Sequence, residues 1–111
     1  SGVVEAIGSS VTTFRPGDAV FGASHGTCAE YASAPAAQLA LKPTSLTFEQ
    51  AAAVPVSATT AMQAVQLGRV QADQTVLVLG ASGGVGTFAV QIAKAFGLPL
   101  DDVFRFEDPE G

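Results

Sequence analysis

The sequence contains no tryptophan and only one residue each of cysteine, histidine, methionine and tyrosine. A lone Cys28 excludes an intrachain disulfide and suits a reducing compartment, so a cytoplasmic setting is expected. His25 and Cys28 are spaced i, i+3. Without further Cys, His or carboxylate company they read as loop and core residues rather than as a metal pair, and no metal is expected. Only 5 basic residues stand against 10 acidic ones, for a net charge of −5. With no basic patch to neutralise phosphates, neither a nucleic acid nor a membrane surface is expected as a partner, which leaves a small-molecule substrate. Long apolar runs are also missing, because Pro, Ser, Thr and Gln interrupt the Ala-rich middle before a bilayer-spanning length is reached. The start has no initiator Met and no basic-then-apolar leader, and Ser1 reads as a position inside something longer.

What is present is core-forming material. Of 111 residues, 48% are apolar and 14% charged, a composition that favours one folded domain over disorder. Charge is unevenly placed. Residues 1–100 carry five acids and four bases, whereas residues 101–111 carry five acids and one base.

The first part of the chain has the short-strand, frequent-turn rhythm of a β barrel. Apolar clusters fall at residues 3–7, 19–21, 28–32 and 39–41, with a turn predicted at Arg15-Pro16-Gly17-Asp18 and another at residues 24–27. From Thr47 the period becomes helical: Thr47 and Gln50 make a capping box. Pro55 is expected to interrupt that helix. A second helix follows over residues 57–67, with Ala58, Met62 and Val65 on one face and Gly68 placed to end it. Residues 75–79 hold four consecutive apolar residues after a Thr, the pattern of a strand buried on both faces. The next helix places Val85, Ala89, Ile92 and Phe96 on one stripe, with Lys94 in its last turn and Gly97 beyond.

Between that strand and that helix lies Gly80-Ala81-Ser82-Gly83-Gly84-Val85-Gly86, the context a dinucleotide fingerprint requires. Gly83 lets the backbone approach a pyrophosphate, and Gly86 lets the helix pack tightly on the strand. The N–H groups of the helix start, with the positive end of its dipole, hold the anion, and Ser82 adds a hydroxyl. Ala81 occupies the first glycine position of GxGxxG, so the tight turn leans on Gly80. The same residues satisfy GxSxG, the nucleophile elbow of an α/β-hydrolase with Ser82 as nucleophile, but no His follows Ser82. They also resemble the glycine turn of short-chain dehydrogenases, which begin with it, whereas here 74 residues precede the strand that leads into it.

Taken with the flanking segments, the chain resembles the medium-chain dehydrogenase/reductase family, in its quinone oxidoreductase (zeta-crystallin-like) branch. The resemblance is carried by Ser1-Gly2-Val3-Val4-Glu5-Ala6-Ile7-Gly8, Arg15-Pro16-Gly17-Asp18-Ala19-Val20-Phe21-Gly22 and Ala29-Glu30-Tyr31. It continues through Leu46-Thr47-Phe48-Glu49-Gln50-Ala51-Ala52-Ala53-Val54-Pro55, the glycine turn, and Ala89-Val90-Gln91-Ile92-Ala93-Lys94-Ala95. It implies an α/β fold in which a partial GroES-like catalytic barrel (residues 1–46) and connecting helices (47–68) lead into the first β-α unit of a Rossmann doubly wound parallel sheet (69–97). It further implies hydride transfer from NADPH, with NAD not excluded, to a quinone, enone or similar acceptor by an enzyme that is homodimeric when intact.

The resemblance also bears on individual residues. The cofactor-binding set it implies is Thr60 with Ala81, Ser82, Gly83, Gly84, Val85 and Gly86. Thr60 has an alternative reading as an ordinary helix threonine bonding back to its own turn. Zinc-dependent relatives carry a cysteine ligand where this chain has Val56, and their four-cysteine loop is absent, so the resemblance implies a zinc-free enzyme. In such enzymes catalysis rests on positioning and oxyanion stabilisation, and no catalytic residue is named. Tyr31 reads as a packed strand residue. Residues 98–111 depart from the family pattern and read as an atypical acidic tail. In an alternative reading residues 103–106 form a strand and Glu107 is a ribose-binding acid. The isolated chain is accordingly expected to be marginally stable and catalytically inactive. A non-catalytic product retaining protein or weak nucleotide contact is the competing functional reading.

Overall fold

A computed structural model describes residues 1–97 and the backbone of a strand at 103–105. The chain divides into two compact units, Ser1–Pro55 and Val56–Gly111.

The first unit is a three-stranded antiparallel sheet, β1 (Gly2–Val3), β2 (Ala19–Gly22) and β3 (Leu39–Leu41), with β2 central. Val20 faces Gly2 on one side and Leu41 on the other. The β1–β2 connection closes on Arg15-Pro16-Gly17-Asp18: Gly17 takes φ +95, and the Asp18 carboxylate accepts the Arg15 N–H at 2.8 Å. Pro presets the first turn position and Gly tolerates the second. Gly22 is required for a different reason, since a Cβ there would lie 2.8 Å from Leu39 Cδ2 and closer still to the Gln38 carbonyl. The sheet is followed by α1 (Phe48–Ala52), which packs on β2 and begins with the predicted capping box: the Gln50 N–H donates to Thr47 Oγ1 at 3.2 Å, and the Thr47 N–H to Gln50 Oε1 at 3.0 Å. Phe14, Val20 and Ala51 are the buried apolar residues.

Two expectations for this unit are corrected. Of residues 3–7 only Val3 is in a strand, although hydrogen bonds from Val4 N–H to Asp18 and from Gly17 N–H to Val4 extend the pairing by a step. Residues 28–32 form no strand, and Tyr31 is 76% exposed rather than packed. An apolar cluster becomes a strand only where a neighbouring strand accepts its ladder, and no described segment does so here.

The second unit is built on α2 (Pro55–Leu67), β4 (Val76–Val78), α3 (Gly84–Ala95) and β5 (Val103–Arg105). α1 stops ahead of Pro55, as expected, and Pro55 itself opens α2, two residues before the expected start, because the first helical position needs no N–H and favours the fixed φ of proline. Ala61 and Val65 are its buried residues, with Ala58 and Met62 half-buried beside them. The helix ends at Leu67, as expected. Arg69, not Gly68, takes the left-handed conformation, at φ +49, while its N–H bonds to Gln66 O and that of Val70 to Val65 O. That pair of bonds is a Schellman closure with a non-glycine at its strained position.

β4 is shorter than the apolar run that predicts it, and it is covered on one face only: Val78 is buried while Leu77 and Leu79 are 54% and 73% exposed. α3 packs against β4, and its covered residues are Gly86, Phe88, Ala89, Val90, Ile92 and Ala93; of the predicted stripe Ala89 and Ile92 are half-buried, while Val85 and Phe96 are exposed. α3 ends as expected, with Lys94 in the last turn and Gly97 at φ +85.

The reading of residues 98–111 as an unrelated tail is corrected in part. Val103–Arg105 pairs parallel with β4, placing Val103, Phe104 and Arg105 opposite Val76, Leu77 and Val78. The β-branched and aromatic residues of this segment suit a strand, and Pro99 falls upstream of the pairing. Glu107 lies outside the described residues. The result is a β-α-β unit with α3 as the crossover.

Candidate dinucleotide-binding turn

Residues 80–86 join the C-terminal end of β4 to the start of α3. Gly80 carries the sharp bend, with φ +72, and its carbonyl accepts the Gly83 N–H at 3.0 Å. Gly83 is the N-cap of α3, in extended conformation and with no side chain to cap the helix. The next three amides, of Gly84, Val85 and Gly86, find no backbone acceptor among the described residues; the first helical bond is Thr87 N–H to Gly83 O, 3.0 Å. Unpartnered N–H groups at the positive end of a 12-residue helix are a ready anion cradle.

Each glycine has a distinguishable role. At Gly86 a Cβ would sit 2.8 Å from Ala81 Cα and closer to the Gly80 carbonyl, so only glycine lets the helix reach the end of the strand. Around Gly83 the nearest atom to a Cβ would be Gly80 O at 3.3 Å. Its value is therefore the open approach it leaves for a ligand rather than packing. Ala81 is buried, while Ser82, Gly83, Gly84 and Val85 are exposed.

The structure thus brings Ala81, Ser82, Gly83, Gly84, Val85 and Gly86 into one turn. It also shows a neighbour that sequence reasoning missed: a Cβ at Gly84 would lie 3.5 Å from Ser57 Oγ, in the first turns of α2. No sequence signal marks Ser57, because the approach is tertiary. Thr60, three residues along α2, is exposed and its hydroxyl donates to Val56 O at 2.8 Å, the back-bond of an ordinary helix threonine. Its lone pairs stay open to a donor. Val56 is 72% exposed and offers no ligating atom.

The hydrolase reading of Ser82 is not favoured by this geometry. A nucleophile elbow puts strain on the serine itself, whereas the positive φ of this turn is at Gly80 and the only non-glycine residues of positive φ among those described are Arg69 and Asp73. In the first unit Ile7, Phe14, Phe21, Tyr31 and Leu39 help line a cavity of about 520 Å3, and among the described residues the Ser1 and Ser24 hydroxyls on its wall donate to the backbone carbonyls of Phe48 and Ser33. His25 and Cys28 are both exposed, and no three His, Cys, Asp or Glu residues cluster among the described residues. No described helix is long and apolar enough to cross a membrane.

No protein-family model matches the chain. Known proteins do. The quinone oxidoreductase of Homo sapiens is 44% identical over 103 residues, which are 90% of this chain and 31% of that protein. An alcohol dehydrogenase superfamily protein from Novosphingobium aromaticivorans superposes with a TM-score of 0.86 at 44% identity, over 93% of this chain and 32% of the other. The chain belongs to the medium-chain dehydrogenase/reductase family. Within it the resemblance is to the quinone oxidoreductase branch, and the chain spans about a third of the length of such relatives. Another similar solved structure, of a mycobacterial protein complexed with NADPH, is 37% identical with a TM-score of 0.75, over 87% of this chain and 31% of its own.

Proposed function

We infer that this chain is the glycine-turn segment of a zinc-independent NAD(P)H-dependent oxidoreductase, and that the turn at residues 80–86 binds the pyrophosphate of the dinucleotide. The observation that carries the reading is the conjunction at α3: three amides with no acceptor among the described residues, beside a Gly86 that no other residue can replace without moving the helix off the strand. The residues present fit the cofactor, since the cradle is open at Gly83 and carries no acidic side chain between Gly80 and Thr87. The antiparallel sheet of the first unit and the β-α-β of the second correspond, in this reading, to parts of a GroES-like barrel and a Rossmann sheet.

A bound reduced nicotinamide supplies a hydride to a quinone, enone or similar carbonyl acceptor. The chain's own contribution is to hold and orient the dinucleotide through the amides of Gly84, Val85 and Gly86, with Thr60 on α2 as a further cofactor contact. NADPH is the preferred form in this proposal and a homodimer the intact assembly. A purified 111-residue chain, spanning a third of its relatives, is expected to bind NADPH weakly and to show no turnover. Fluorescence titration with NADPH and NADH, followed by a quinone-dependent NADPH oxidation assay, tests this. Saturable binding without turnover is expected; turnover at enzyme-like rates contradicts the inactive-segment reading, and no binding of either nucleotide contradicts the site.

A further inference from the structure

Two threonines of the second unit make the same helix back-bond and differ in what else they reach. Thr60 Oγ1 donates to Val56 O, within its own helix, and to nothing beyond it. Thr87 Oγ1 lies 2.8 Å from Gly83 O, the equivalent i−4 carbonyl, and also 3.4 Å from Ala81 O, which precedes the helix and belongs to the turn. The Thr87 hydroxyl thereby spans the first turn of α3 and the glycine turn. Gly83 O receives the Thr87 N–H as well, at 3.0 Å.

Peptide planarity converts these carbonyl contacts into amide orientations. The plane that holds Gly83 O carries the Gly84 N–H on its opposite edge, and the plane that holds Ala81 O carries the Ser82 N–H. The bond from Gly83 N–H to Gly80 O ties two further planes to each other, those of the Ser82–Gly83 and Gly80–Ala81 peptides. Fixing the carbonyls therefore aims the amides that a pyrophosphate would meet, and it occupies acceptor lone pairs that would otherwise repel the anion. We propose that Thr87, through its hydroxyl, is a positioning residue for the dinucleotide turn, setting the direction of the Gly84 and Ser82 amides without touching the ligand. This proposal rests on the dinucleotide reading of the turn.

The hydroxyl is separable from the side chain's shape. Thr87→Val keeps the shape and removes the donor, whereas Thr87→Ser keeps the donor and removes a methyl group. The experiment measures NADPH affinity by fluorescence titration and the thermal midpoint for the wild type and both variants. The expected result is a Kd raised about fivefold or more in Thr87→Val, from the loss of one hydrogen bond that organises others. Thr87→Ser should stay within about twofold of wild type, and β-branching should leave the Thr87→Val midpoint close to that of the wild type. Equal NADPH affinity in Thr87→Val and wild type overturns the positioning role while leaving the dinucleotide site intact. Loss of affinity in Thr87→Ser to the level of Thr87→Val overturns it in favour of methyl packing, and an unfolded Thr87→Val overturns it in favour of a purely structural role. A wild-type chain without saturable NADPH binding overturns the dinucleotide reading itself, and the proposal with it.

Discussion

The two units use an irreplaceable glycine for opposite ends. In the antiparallel sheet Gly22 removes a Cβ so that β2 and β3 can close on each other, and the product is a finished contact. In the β-α-β unit Gly86 removes a Cβ so that α3 can reach the end of β4, and the product is a set of amides with no partner among the described residues. The cores differ accordingly. Phe14 and Val20 fill the first unit, whereas Ala61, Ala81 and Ala93 are prominent in the second, where close backbone approach matters more than buried volume. One glycine serves stability alone; the other serves stability and also shapes the candidate cradle.

That contrast can be broken by substitution. The largest effect is expected from Gly86→Ala, where backbone atoms of Gly80 and Ala81 block the new methyl: about 3 kcal/mol or more of stability lost by denaturant unfolding, with NADPH binding abolished. Gly22→Ala should cost about 2 kcal/mol or more through the Gln38 backbone and Leu39, yet leave the turn's amides as they are. Gly83→Ala reverses the pattern. The N-cap preference predicts a loss of only about 0.5–1 kcal/mol, while the added methyl on the open face should weaken NADPH at least tenfold by titration.

Smaller effects sharpen the helix ends. Thr47→Ala removes the capping box of α1 and should cost about 1 kcal/mol. Arg69→Gly relieves the left-handed residue that closes α2 and should raise stability by about 0.5–1 kcal/mol. The smallest effect concerns Glu49, whose own backbone N–H and the Thr47 hydroxyl hold its carboxyl below the usual carboxylate range. A depressed pKa stabilises the fold above the ordinary carboxyl range, and this contribution is lost as pH falls through the lowered value. Thermal midpoints recorded from neutral to acid pH should therefore fall less steeply in Glu49→Gln than in the wild type.

How much of this was legible beforehand follows from the range of the forces involved. The Thr47–Gln50 capping box, the Gly17 turn, residues 39–41 as a strand, Gly97 after α3 and the bend at Gly80 are set within a few residues of chain, and the sequence shows each of them. Of the site, the contiguous turn from Ala81 to Gly86 was legible for the same reason. The misreadings are tertiary. Exposure of Leu77, Leu79 and Tyr31 depends on what covers them, and the apolar pattern cannot report that. Pairing of Val103–Arg105 with β4 depends on a partner 27 residues away, and the acidic composition around it pointed elsewhere. Ser57 beside Gly84 and the second carbonyl reached by Thr87 are contacts with no sequence signature.

The most direct test of the central claim is an amide-resolved NMR titration of the 15N-labelled chain with NADPH. The largest shift changes are expected on the amides of Gly84, Val85 and Gly86, with Ser82 beside them and the Gly2–Leu41 sheet unmoved. Shift changes confined to the sheet, or none at the turn while NADPH demonstrably binds, would contradict it.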